Sequence, residues 1–183
     1  MTVRAFIASF PPREIQEALH RAALALPIME SVRYVRPENI HLTIKFLGDV
    51  QQESLARVGE SLATVGEHHG PFEVELSGFG AFPSERRGRV LWAGAGRGSD
   101  RLGEIAADVE DALEPLGFER EPRAYRPHMT LARAHGRPFV LGETAAFEGL
   151  TFQAEKLTLV RSVLRHEGAL YEPVGIYPLA GGG

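Results

Sequence analysis

The chain has 183 residues, a formal net charge of −4, and 44% hydrophobic, 8% aromatic and 24% charged residues, a composition that fits one globular domain and excludes a disordered or fibrous chain. A chain of this length buries roughly 70% of its unfolded surface, so its core needs no outside staple. The absence of cysteine excludes disulfides, thiolate metal sites, iron–sulfur clusters and a cysteine nucleophile. The acidic balance argues against coating by nucleic acid through bulk charge, so any anion site has to be local.

Val3 to Phe10 alternates as a strand and lacks the continuous apolar run of a signal peptide. No segment approaches the length of a membrane span, so a cytoplasmic monomer with no membrane partner is expected. Pro12 opens a helix whose Ile15, Ala18, Leu19, Ala22 and Leu26 share one face. Val32 to Val35 reads as a short strand, Arg36 to Asn39 as a turn, and Ile40 to Leu47 as an apolar strand bounded by Gly48. Leu55, Val58, Leu62 and Val65 mark a second helix, Phe72 to Ser77 a half-buried strand, and Val90 to Ala93 another. Gly94 to Gly98 lacks both phosphate-loop patterns and reads as a tight turn into a third helix, capped by Ser99 or Asp100 and stopped at Gly117. Strands follow at His128 to Ala132, near Leu157 to Leu164 and at Tyr171 to Pro178, and residues 180–183 are expected to be a frayed, disordered tail. The whole chain, 1–183, reads as one two-lobed domain.

Positive charge is concentrated. Arg120, Arg123, Arg126, Arg133 and Arg137 face only one acid, Glu121, in their segment, and Arg86, Arg87 and Arg89 form a second cluster. The second cluster reads either as arginine-rich composition or as contacts to a nucleic-acid backbone outside a cleft.

The most informative feature is a repeat. His41-Leu42-Thr43-Ile44 and His128-Met129-Thr130-Leu131 lie 87 residues apart, each about thirty residues after the start of a helix that itself follows a strand. About 0.05 matches to such a pattern are expected by chance in this composition. On a strand, residues i and i+2 share a face, so each motif presents an imidazole beside a hydroxyl while Leu42, Ile44 and Met129, Leu131 turn inward. Two halves facing across an approximate two-fold axis line a cleft with two imidazoles and two hydroxyls. In-line displacement at phosphorus needs one neutral histidine as base and one protonated histidine as acid, threonine hydroxyls can donate to nonbridging oxygens, and no metal or cofactor is required.

With Phe46-Leu47-Gly48, Arg126-Pro127 and Ala132-Arg133 around them, the two motifs resemble the two-histidine (HxTx) phosphoesterases, and among these the RNA 2′,3′-cyclic phosphodiesterases, also called 2′-5′ RNA ligases. The resemblance spans nearly the whole chain. It implies an α+β fold of two pseudo-symmetric lobes, with antiparallel sheets around a central cleft and helices outside. It also implies opening of a 2′,3′-cyclic phosphate at an RNA end to a 2′-phosphomonoester, with His41 as proton donor and His128 as acceptor. Arg133 matches an arginine that holds phosphate, and Phe46 an aromatic that stacks on a base.

Strict alternation opposes both of these: either the strands end or bulge, or Phe46 is core. By the same parity Lys45 and Arg126 are expected to face the cleft. His20, His68, His69, His135 and His166 have no paired context and are expected at the surface, without the further ligands of a zinc site. Two other readings stay open: 2′-5′ ligation or hydrolysis of a small cyclic nucleotide by the same chemistry, and non-catalytic binding of RNA ends.

Overall fold

Alternation in the first strand decides which side of the protein is core. In a computed structural model that describes residues 1–144, 150–165 and 168–182, β1 (Thr2–Ser9) turns Val3, Ala5 and Ile7 into the main core and Arg4, Phe6 and Ala8 onto the opposite face. The chain continues through α1 (Arg13–Leu24), β2 (Val32–Tyr34), β3 (Leu42–Gln51), α2 (Leu55–His68), β4 (Phe72–Phe82), β5 (Val90–Ala95) and α3 (Ser99–Leu113). It ends with β6 (His128–Ala134), β7 (Thr151–Ala154), β8 (Lys156–Arg165) and β9 (Gly168–Pro178).

The strands are hydrogen-bonded in the order β7-β4-β5-β6-β3-β1-β8-β9, with β2 on β6, and every pairing is antiparallel. The order is symmetric about the seam between β6 and β3: β5 stands to β6 as β1 stands to β3. At that seam the ladder narrows to one residue pair, Leu42 opposite Met129. The fold is α+β and bilobal, one curled antiparallel sheet with its three long helices on one face. Apolar faces of the helices close the core: Leu19 and Ala23 of α1, Val58, Leu62 and Val65 of α2, and Leu102, Ile105, Val109 and Leu113 of α3. α1 packs on β6 and α3 on β3, so each of these helices also braces the other lobe's motif strand.

Three expectations are corrected, and one strand, β7, is added. The tail does not fray at Ala180 and Gly181, whose N–H groups donate to the carbonyls of Gly66 (2.9 Å) and His69 (3.1 Å) and sew it to the end of α2. β7 lacks a sequence signal because it is a four-residue edge strand with only Phe152 and Ala154 buried. α3 is capped by Gly98 in the left-handed region, and Ser99 is its first residue. His69 is buried, with Nε2 2.7 Å from a carboxylate oxygen of Asp108. His166 lies outside the described residues.

Candidate active site

The seam places the two motifs together. Carrying the Leu42 to Met129 register one residue either way sets His41 opposite Thr130 and Thr43 opposite His128. Directly opposed residues share a face, and this is the face away from the buried Leu42 and Met129. Two imidazoles and two hydroxyls therefore alternate around one point.

Both rings are held in the same way. His41 Nδ1 lies 2.7 Å from the carbonyl oxygen of Asn39, and His128 Nδ1 lies 2.7 Å from that of Arg126. A carbonyl only accepts, so each Nδ1 carries the hydrogen and each Nε2 is left for chemistry. His41 Nε2 lies 3.0 Å from Thr43 Oγ1.

The surroundings of the rings differ. His41 stacks on Phe6 (4.9 Å between centroids) and meets Phe10 (5.2 Å) and Tyr171 (5.4 Å). This burial, opposed by the Asn39 carbonyl and aided slightly by the charge of His128, pushes His41 down to about 4. His128 lies against Phe82 (5.1 Å) and Trp92 (6.2 Å). Gly94 is directly opposite His128 and Gly80 directly opposite Trp92. A Cβ at Gly80 would meet the indole of Trp92 at 2.1 Å, so glycine there lets the ring lie flat on the sheet.

Beyond each threonine the ladder slips by one residue. Ala8 opposes Thr43 but Ile7 opposes Lys45, which leaves Ile44 extra, and Trp92 opposes Thr130 but Leu91 opposes Ala132, which leaves Leu131 extra. The two bulges occupy the same place in the repeat and reverse the alternation after it. Phe46, 70% exposed, and Arg133 are thereby turned to the cleft, as the bulge alternative required. Lys45 is turned the other way. The expectation that it faces the cleft is corrected: its Nζ donates to Glu110 Oε2 of α3 (2.5 Å) and to the carbonyl of Glu119 (2.8 Å), in a side chain only 4% exposed. Arg126 is corrected too. It precedes β6, so strand parity does not extend to it; its carbonyl orients His128, while its exposed side chain is not in the cavity wall.

The cavity, of about 420 Å³, is lined by His41, Thr43, Phe46, Thr130 and Arg133, with Arg4, Asn39 and Tyr171 as further polar members. His128 stands beside it. Several supports have no motif to reveal them. Gln16 of α1 donates to the Ile40 carbonyl (2.9 Å) at the entry to the first motif. The Tyr125 hydroxyl donates to the Thr43 carbonyl (3.0 Å), tying the second motif's approach to the first motif's strand. Among the described residues no group of three His, Asp or Glu side chains is set to hold a metal ion, and no helix is long and apolar enough to cross a membrane.

Residues 10–92 match the model of the family described as LigT like Phosphoesterase. A protein of Aeropyrum pernix named RNA 2′,3′-cyclic phosphodiesterase is 35% identical over 147 residues, covering 77% of this chain and 82% of its own. A protein of Thermus thermophilus with the same name is 34% identical over 98% of this chain and 91% of its own. Among solved structures, E. coli LigT complexed with 3′-AMP superimposes with a TM-score of 0.83 at 25% identity, over 98% of this chain and 99% of that one. A crystal structure of a Thermus thermophilus protein does so with a TM-score of 0.81 at 28% identity, over 97% and 98%. Shared sequence over nearly the full length, a shared fold and a doubled histidine-threonine motif thus agree that the chain belongs to the LigT-like family of two-histidine phosphoesterases.

Proposed function

We propose that the protein hydrolyses the 2′,3′-cyclic phosphate at an RNA end to a 2′-phosphomonoester, by proton transfers between two histidines and without a metal ion. The matched hydrogen bonds from Nδ1 of His41 and His128 to the carbonyls two residues before them carry this reading, because they leave both Nε2 atoms for proton transfer on motifs that the seam brings together. His128 takes a proton from water as its oxygen attacks phosphorus. The bond from phosphorus to O3′ breaks, and His41 gives its Nε2 proton to that oxygen, leaving a 3′ hydroxyl and a 2′ phosphate. Thr43 and Thr130 donate to the nonbridging oxygens, Arg133 supplies a fixed charge, and Phe46 stacks on the terminal base. The names of the Aeropyrum and Thermus relatives support the RNA cyclic phosphate as substrate.

One observation favours a second reading, with the roles exchanged. His41, held down at about 4, is neutral in the empty cleft at neutral pH, which is the state a base needs. As the acid it must first be raised by the negative charge of the bound phosphate.

The experiment is incubation with an RNA ending in a 2′,3′-cyclic phosphate, followed by assignment of the product. A 2′-phosphate is expected, and a 3′-phosphate or no turnover overturns the proposal. Replacing the 3′ oxygen by sulfur, which leaves without a proton, assigns the roles: rescue of His41→Ala and not His128→Ala fits His41 as the acid, and the converse rescue fits the exchange.

A further inference from the structure

On the cleft face, one polar row crosses three strands beside the histidine pair. In β1, Arg4 is directly opposite Ser162 of β8, and Ser162 is directly opposite Tyr171 of β9. All three line the same cavity as His41 and Thr130. Arg4 is one pleat repeat, about 7 Å, along β1 from Phe6, the residue on which the His41 ring is stacked. The row thus runs outward from Tyr171, which meets the His41 ring, through Ser162 to Arg4.

Its charge is uncompensated. Asp49 is directly opposite Arg4 on β3, yet it is not in this cavity wall, and no ion pair within 4.0 Å joins the two. Among the described residues neither Arg4 nor Arg133 has a carboxylate partner. Both are nevertheless close enough to the Tyr171 hydroxyl to pull its pKa down against the burial that raises it. Two guanidinium groups therefore line one cavity with a half-buried phenol, and Ser162 is paired opposite one of them. Two guanidinium groups beside hydroxyls, in a cavity wall with no carboxylate, suit a phosphate.

We infer that Arg4, Ser162 and Tyr171 form a second phosphate subsite, which holds the 5′-phosphate of the terminal nucleoside while the histidines act on its cyclic phosphate. This rests on the reading of the reaction given above. A cyclic mononucleotide without a 5′-phosphate leaves the subsite unused, whereas an RNA end fills it through the linkage to the preceding nucleotide. The row then sets a preference for oligonucleotide ends over free cyclic nucleosides, and it contributes through binding.

The test compares kcat/KM for a dinucleotide ending in a 2′,3′-cyclic phosphate with that for the cyclic mononucleotide lacking a 5′-phosphate. Arg4→Ala is expected to lower the ratio of the two by about 10- to 100-fold, the size of a lost charged hydrogen bond, and to do so through KM. Its salt dependence on the dinucleotide should become shallower by about 0.7 in the logarithmic slope. Arg4→Lys, which keeps the charge, should recover part of the ratio, and Ser162→Ala should lower it in the same direction. Arg133→Ala should lower both substrates together and leave the ratio in place. If Arg4→Ala also leaves the ratio in place while the wild type turns over both substrates, the subsite is wrong and the reaction stands. If the wild type turns over neither substrate, the reading of the reaction fails instead.

Discussion

Phe46 and Arg133 occupy the same position in the two halves, three residues after the threonine of each motif, and both reach the cleft because Ile44 and Leu131 take up one residue of slack in β3 and β6. One half thus offers an aromatic face where the other offers a charge. Phe46→Ala should weaken binding of a cyclic-phosphate RNA by roughly 1–3 kcal/mol, the worth of one stacked base, and raise KM with little change in kcat. Arg133→Ala should lower kcat/KM by about 10- to 1,000-fold, as for other donors to developing negative charge. Steady-state kinetics on both variants check the pair. A kcat loss in Phe46→Ala with no change in KM would count against stacking.

His41 links the cleft to acid stability. Its folded value of about 4 lies below the ordinary 6.5, so the unfolded chain binds more protons in the interval between them. The stability tied to neutral His41 is complete above about pH 6.5 and falls by about 1.4 kcal/mol per unit as the pH drops toward 4. His41→Gln removes this dependence. Urea unfolding at pH 7.5 and pH 4.5 should show the variant losing less stability than the wild type between the two. Equal losses would mean that His41 titrates normally.

Lys45 is predicted to matter for folding and not for the reaction. Lys45→Met strands Glu110 in a site where its side chain is 14% exposed, at a cost of about 3–5 kcal/mol. The double variant Lys45→Met with Glu110→Leu should recover most of that loss, and turnover per folded molecule should hold in both. Unchanged denaturant midpoints with lost turnover would return Lys45 to the cleft.

Because both proton transfers are assigned to imidazole, hydrolysis should persist in excess EDTA. Loss of turnover with the chelator and recovery with a divalent ion would replace the two-histidine scheme.

The motif residues were legible because a period of two requires only a strand, and the doubled pattern named both strands. What followed each threonine was not legible. A bulge leaves no mark in Ile44 or Leu131, apolar residues that suit a strand either way, so parity sent Lys45 to the wrong side and left Phe46 undecided. Helices announced by stripes such as Leu102, Ile105 and Val109 were found, with the cap displaced by one residue. Arg4 and Tyr171 stayed hidden because pairing across distant strands brings them to the cleft. β7 stayed hidden because two buried residues make no pattern.

The two histidines have the same tether, yet one is walled by Phe6, Phe10 and Tyr171 and the other by Phe82, Trp92 and a glycine-lined patch. A perfectly two-fold site would have no sense of direction. It would accept a five-membered cyclic ester in two equivalent orientations, with either histidine serving as the acid. Unequal walls give the seam a polarity, and two imidazoles that are tethered alike are no longer interchangeable.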